Sequence, residues 1–381
     1  MREHPRRAVA LVSALAVACA AVLAWVVTGP DDAARGPRAA SSPAPSGTGL
    51  PAGPDLTARF VDAYVDPDGR VVRRDQGGDT VSEGQAYAML LAVADRDEAT
   101  FDRVWDWTER ELVRPDGLLS WTWRDGAVVD ANSAADADVD AAHALVVAGD
   151  AFERPDLRAA GGRLATAILD HETRTTPLGR VLVGGQWADA PPYRVNPSYA
   201  SPAAYEVIGR ATGDRRWTEL ADGDRAVLGA LLDEAPLPPD WAQVTEDGRV
   251  EAMPPSGGGS VGYGLDAQRV ALRYAASCEP ADRGVVRRLG AAVRTDRDDV
   301  RGVYDLGGTP TVAWQHPLAL TSAAAVSGVD GDARAGSALL ADAATLDERS
   351  STYYGAAWVA LGEQLLTDPR RLGVDCEGVA S

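Results

Sequence analysis

From Leu56 onward apolar residues recur three and four positions apart, and sustained strand-like alternation is scarce. The periodicity predicts twelve helices, over residues 56–65, 82–95, 99–113, 136–150, 155–171, 202–212, 215–232, 266–277, 283–296, 315–327, 333–345 and 352–366. Turn-forming runs separate them, among them Asp66-Pro67-Asp68-Gly69, Arg114-Pro115-Asp116-Gly117 and Ser256-Gly257-Gly258-Gly259. Val71-Val72 and Gly179 to Val183 read as short strands within the loops.

Every second helix differs from its neighbours. Segments 82–95, 136–150, 202–212, 266–277, 315–327 and 352–366 are rich in Ala and Leu and poor in charge. Their partners, such as 99–113 and 215–232, carry charges on one face. That alternation suits inner helices buried all round and outer helices wet on one side. Six of each make an all-α fold, an (α/α)6 barrel of six helical hairpins with short strands in its loops. A plain helical-repeat scaffold is the alternative that the same pattern allows.

In such a barrel the inner helices run parallel, so their N-termini gather at one end. Unusual polar residues stand at those starts: Ser82-Glu83-Gly84, Asp136-Ala137-Asp138, Gly264-Leu265-Asp266, Trp314-Gln315-His316-Pro317 and Ser351-Thr352-Tyr353-Tyr354. Ser201-Pro202 forms the favoured N-cap and N1 pair of another. Glu83, Asp136 and Asp266 are therefore expected at one barrel mouth.

Ahead of Asp55 the composition changes. Arg2, Arg6 and Arg7 precede an uncharged run from Ala8 to Val27, about twenty residues and long enough to cross a bilayer. The run exceeds the usual apolar core of a cleavable leader, and no clean cleavage site follows it. Residues 1–27 are a signal peptide or a retained membrane anchor; either exports the remainder, secreted or tethered to the outer face of the membrane. Residues 28–54, rich in Ala, Ser, Pro and Gly, cannot bury enough apolar surface to offset their ordering and read as a disordered linker. Residues 55–381 remain as one domain.

Net charge is −19 and the basic residues are all Arg. So acidic a chain is repelled by phosphate backbones, which excludes nucleic acid as a partner, whereas neutral polysaccharide meets no such penalty. Cys278 and Cys376 form one disulfide that fastens the C-terminal tail, or stay as two thiols. His143, His171 and His316 lack zinc-ligand spacing. Asp136, Asp138 and Asp140 alternate as in a calcium loop, but Ala141 and Val147 stand where that loop needs Gly and Glu.

Two carboxyl groups, one protonated and one ionised, can cleave a glycosidic bond. A helix N-terminus favours the ionised form, which suits Asp266 as a base. Glu83 as an acid needs a raised pKa, and the neighbouring anion of Asp136 is the natural source of it. Each carboxylate taken singly is equally well explained as an N-cap. The chain has ten Trp and ten Tyr but three Phe, a skew towards rings with polar edges, as sugar stacking requires. Trp121, in Leu118-Leu119-Ser120-Trp121, is a sugar platform or a core residue.

Five ordered blocks then carry a family resemblance. Ser82-Glu83-Gly84-Gln85-Ala86-Tyr87-Ala88-Met89 is similar to an S-E-G-x-x-Y-x-M block. Ala134-Ala135-Asp136-Ala137-Asp138-Val139-Asp140-Ala141-Ala142 is similar to A-[ST]-D-[AG]-D-x-D-I-A, with Ala135 and Ala141 as departures. Asn196-Pro197-Ser198-Tyr199-Ala200-Ser201-Pro202-Ala203-Ala204-Tyr205 matches an N-P-S-Y-x-x-P-A-x-Y stretch, and Tyr353-Tyr354-Gly355 a late Tyr-Tyr pair. Tyr263-Gly264-Leu265-Asp266-Ala267-Gln268-Arg269 resembles Y-D-A-x-R, except that two residues intervene before Asp266. Either Leu265 takes the aromatic place or the turn differs.

Together these blocks resemble glycoside hydrolase family 8, the family of bacterial cellulases and related endo-enzymes. The resemblance implies the (α/α)6 barrel, inversion at the anomeric carbon and no cofactor. It implies Glu83 as proton donor, Asp136 in the central sugar subsite and Asp266 as base; the i,i+3 spacing separately predicts that Arg269 pairs with Asp266 one turn away. Trp121, Tyr87, Tyr199, Arg269, Tyr353 and Tyr354 are the expected substrate-binding set. The expected activity is endo-acting, inverting hydrolysis of β-1,4-glucan by a monomer without metal. Xylan, mixed-linkage glucan and chitosan are rival substrates, and a non-catalytic glycan-binding protein is the rival class.

Overall fold

The computed structural model describes residues 55–255 and 258–376. The leader or anchor expected over residues 1–27 and the linker over 28–54 lie outside the described residues. Among the described residues no helix is long and apolar enough to cross a membrane.

Among the described residues twelve α-helices occur, each overlapping a predicted segment: α1 Leu56–Tyr64, α2 Ser82–Ala94, α3 Glu98–Glu111, α4 Ala135–Ala151, α5 Pro155–His171, α6 Pro202–Thr212, α7 Arg216–Glu234, α8 Arg269–Ala275, α9 Pro280–Leu289, α10 Pro317–Val329, α11 Ala333–Arg349 and α12 Tyr353–Thr367. The even-numbered helices form a closed ring, each touching the next and α12 returning to α2. The odd-numbered ones pack outside, α3 on α2, α5 on α4, α7 on α6, α9 on α8, α11 on α10 and α1 on α12. This is the (α/α)6 barrel.

Burial follows the layers. In α2 all but Glu83 are buried, and in α4 all but the last two residues. The outer helix α3 buries one stripe, Thr100, Phe101, Val104, Trp105, Trp107 and Thr108. Small residues let the inner helices approach: a Cβ on Gly362 of α12 would stand 2.1 Å from the Thr321 side chain of α10.

Among the described residues three small antiparallel sheets decorate the ring. They are β1 Thr80–Val81, β2 Thr122–Arg124 and β3 Ala127–Asp130; β4 Thr173–Thr176 with β5 Gly179–Leu182; and β6 Tyr193–Val195, β7 Trp241–Val244 and β8 Val250–Met253. The strand expected at 179–183 is thus β5, whereas Val71 makes only a single bridge, to Val65. The other strands are two to four residues long, too short for a period-two pattern to stand out from helical signal.

Two local expectations are corrected. Asp266 does not open a helix: α8 begins at Arg269, and residues 265–268 form tight turns ahead of it. Ser201 occupies the N-cap of α6 with Pro202 after it, but its side chain makes no capping hydrogen bond. Cys278 and Cys376 are joined in a disulfide with Cα atoms 5.1 Å apart, which ties the tail to the end of α8.

Candidate active site

Glu83 lies in the first turn of α2, at the mouth end of the ring. The pairing of β1 with β2 sets Val81 opposite Thr122, and the Ser82 N–H donates to the Trp121 carbonyl at 2.9 Å. Trp121 is thereby delivered to Glu83, and its indole Nε1 donates to Glu83 Oε1 at 3.1 Å. Gly84 has a steric reason to be glycine, since a Cβ there would sit 2.6 Å from the Tyr353 hydroxyl. The Glu83 side chain keeps an opening to solvent but is otherwise enclosed by protein. That enclosure first, and the charge of Asp136 second, push its carboxyl up to about 7. Sequence reasoning named the second cause and missed the larger one, because burial of a helix-terminal residue is decided by what packs around it.

Asp136 lies in the first turn of α4 and is buried. Its Oδ2 accepts from Arg269 Nη1 at 2.7 Å and its Oδ1 from the Ala137 N–H at 3.0 Å. Burial pushes its carboxyl up while Arg269 and Arg273 pull the other way. One turn deeper, Asp140 takes two hydrogen bonds from Arg273, both at 2.8 Å. Asp138 points elsewhere, accepting from the Leu119 N–H at 2.9 Å and so anchoring the loop that carries Trp121.

Asp266 is partly exposed. Asn196, directly after β6, donates from Nδ2 to Asp266 Oδ2 at 3.0 Å, and Arg269 Nη2 lies 3.4 Å from Asp266 Oδ1. The expected pairing with Arg269 is therefore present, and Asn196 is an added partner. Sequence reading quoted Asn196 within a block without giving it a task, because nothing local links it to a residue seventy positions on. Tyr263 turns into the core, with its hydroxyl 3.2 Å from Ser322 Oγ, and Leu265 stands next to Asp266.

The aromatic residues divide. Tyr87 and Tyr199 are buried beneath the carboxylates: the Tyr87 hydroxyl accepts from Arg269 at 3.4 Å, and Arg269 lies 5.3 Å from the centre of the Tyr199 ring. Tyr353 and Tyr354 at the start of α12 keep buried hydroxyls without a protein partner, and Tyr353, expected among the substrate-binding residues, is itself buried against Gly84. Tyr354 stacks obliquely against His316, the N-cap of α10. Arg269, expected among the substrate-binding residues, is buried and engaged with Asp136, Asp266 and Tyr87. Among the described residues no group of His, Cys, Asp and Glu is arranged to hold a metal ion.

Known proteins resemble this chain in sequence and fold. The chain is 36% identical over 233 residues to an endoglucanase of Xanthomonas axonopodis pv. citri (strain 306), covering 57% of this chain and 58% of that one. It is 33% identical over 203 residues to an endoglucanase of Escherichia coli (strain K12), covering 50% of this chain and 54% of that one. The chain thus spans somewhat over half the length of these relatives. Among solved structures, the endo-beta-1,4-glucanase CMCax from Acetobacter xylinum superposes with a TM-score of 0.69 at 25% identity, over 84% of this chain and 100% of that one. Residues 57–289 match the family described as Glycosyl hydrolases family 8. The chain belongs to glycosyl hydrolases family 8.

Proposed function

We propose that this protein hydrolyses β-1,4-glucan internally with inversion, Glu83 acting as general acid and Asp266 as general base. The observation that carries the reading is the contrast between the two carboxyls. Glu83 is enclosed and raised to about 7, with the Trp121 indole N–H at 3.1 Å and the Ser82 hydroxyl at 3.4 Å as its donors, so it keeps its proton in mildly acidic solution. Asp266 is open to solvent on one side, accepts a hydrogen bond from Asn196 and faces the Arg269 guanidinium at 3.4 Å. Glu83 protonates the leaving oxygen while Asp266 takes a proton from the attacking water. Asp136, fixed by Arg269, holds the sugar at the central subsite and resists ionisation of Glu83. The half-buried face of Trp121 receives a sugar ring.

The apolar run of residues 8–27 supports an exported enzyme with residues 1–54 as leader and tether, and the net charge of −19 suits a neutral polymer as substrate. Purified protein should release reducing ends from carboxymethylcellulose faster than from xylan, mixed-linkage glucan or chitosan. Proton NMR of the earliest product should show the α-anomer. Initial β-anomer would overturn inversion and the role of Asp266 together.

A further inference from the structure

The turn that carries Asp266 is held by a second carboxyl group that the reaction scheme does not use. Asp240 Oδ1 accepts from the Gly264 N–H at 3.1 Å and from the Ala267 N–H at 2.8 Å. One oxygen thus clamps the backbone on both sides of Asp266. The Asp240 N–H donates in turn to the Gly262 carbonyl at 3.0 Å. Asp240 directly precedes β7 as Asn196 directly follows β6, and Val195 pairs with Ala242, so both project from one corner of that sheet. Asn196 grips the carboxylate of Asp266, and Asp240 grips its backbone.

The turn needs such a brace. Helix α8 starts only at Arg269, so residues 264–267 lie ahead of its regular hydrogen-bond ladder. The approach is also close: a Cβ on Gly264 would lie 2.1 Å from Asp240 Oδ2. Gly264 is one of the two residues that separate Tyr263 from Asp266 in this chain. Burial, and then the charge of Asp266, push the Asp240 carboxyl up to about 7. In mildly acidic solution it is therefore largely neutral, and Asn can copy it.

We propose that Asp240 is a positioning residue for hydrolysis: by clamping Gly264 and Ala267 it fixes the orientation of the Asp266 carboxylate towards the attacking water. The proposal rests on the assignment of Asp266 as base. Loss of the brace leaves the sugar-binding aromatic residues untouched and misplaces one reacting group, so it acts on kcat and not on KM.

The test compares Asp240→Ala, Asp240→Asn, Gly264→Ala and the Asp240→Ala/Gly264→Ala double variant on cellopentaose at pH 5, with thermal circular dichroism to confirm folding. Asp240→Ala should lower kcat about 100-fold with KM unchanged. Asp240→Asn, which keeps the accepting oxygen, should return kcat close to wild type. Gly264→Ala should mimic Asp240→Ala, and the double variant should be no worse than either, because both remove one contact. A folded Asp240→Ala with wild-type kcat, or a loss confined to KM, or an Asn variant no better than Ala, overturns the proposal. If Asp240→Ala does not fold, wild-type kcat in Gly264→Ala overturns it instead. Asp266→Ala measured alongside separates the two readings. Full turnover by that variant removes Asp266 as base and the proposal with it; its inactivity beside a fully active Asp240→Ala removes only the positioning role.

Discussion

Asp136 and Arg269 form a buried ion pair of 2.7 Å between α4 and α8, two inner helices with α6 between them in the ring. The same guanidinium lies 3.4 Å from Asp266, so the subsite carboxylate and the proposed base are tied to one side chain. One turn deeper Arg273 and Asp140 repeat the span, and both guanidinium groups lie near the Trp358 ring, at 5.6 and 5.3 Å from its centre. The rungs repeat because each pair of like residues is four positions apart on its helix. Buried charges are costly unless paired, so these rungs hold the site in one geometry at the expense of tolerance to substitution.

Arg269→Met should therefore destabilise the fold by about 3–5 kcal/mol, because Asp136 is left buried without its partner. Arg269→Lys should also lose activity, since an ammonium group cannot serve two carboxylates in the fork geometry of a guanidinium. Thermal melts and kcat on carboxymethylcellulose check both.

Glu83→Gln should keep the fold and glycan affinity but lower kcat by about 100- to 10,000-fold, the usual worth of a positioned general acid. Calorimetric titration with a cello-oligosaccharide checks the binding. Wild-type turnover would remove Glu83 as the acid.

Asp136→Asn removes the second of the two causes that raise Glu83, leaving burial in place. The Glu83 carboxyl should fall below about 7 yet stay above the ordinary carboxyl range. The acid must be protonated to act, so the alkaline limb of kcat against pH should move to lower pH. An unmoved limb with normal affinity would reduce Asp136 to a structural partner of Arg269.

Asp138 and Glu172 are both fully buried, and each keeps one oxygen, Oδ2 and Oε2, that receives no hydrogen bond. Burial is the main cause that raises both; Glu172 raises Asp138 further, whereas Asp138 pulls Glu172 back, and Glu172 reaches about 7. Carboxyls raised in the folded state contribute their stability at low pH and lose it as pH climbs from the unfolded value near 4.3 through about 7. Melting temperature should fall across that window. Glu172→Gln supplies a permanent donor to Asp138 and should flatten the fall.

Cys376→Ser opens a loop whose ends are 98 residues apart in sequence. Loop entropy sets the loss at about 4–5 kcal/mol. Leu372 and Val374 are buried just ahead of the bridge, and the Leu372 carbonyl pairs with His143 at 2.7 Å, so part of the tail stays docked. A lower melting temperature with unchanged kcat at 25 °C is expected.

Much of this was readable along the chain. The alternation of all-buried and half-buried helical stripes in α2 against α3, or α4 against α5, specifies two concentric layers without any tertiary information, because a helix buried on every side must be apolar all round. Glu83 and Asp136 stood out because they are acidic residues in the first turns of two such apolar helices.

What the tertiary structure alone decided is how each carboxyl is surrounded. Trp121 reaches Glu83 from a loop, and Tyr353 packs against the adjoining Gly84 from a helix far along the chain. Asp266 read as helix-opening, yet it sits on a turn braced by Asn196 and Asp240 from a sheet whose strands are too short to be seen as a pattern. Periodicity reports the environment averaged over a whole helix face, so it reveals layers and their ends. A carboxyl's proton affinity depends on two or three atoms within hydrogen-bonding distance, and those atoms come together only when the ring of helices closes.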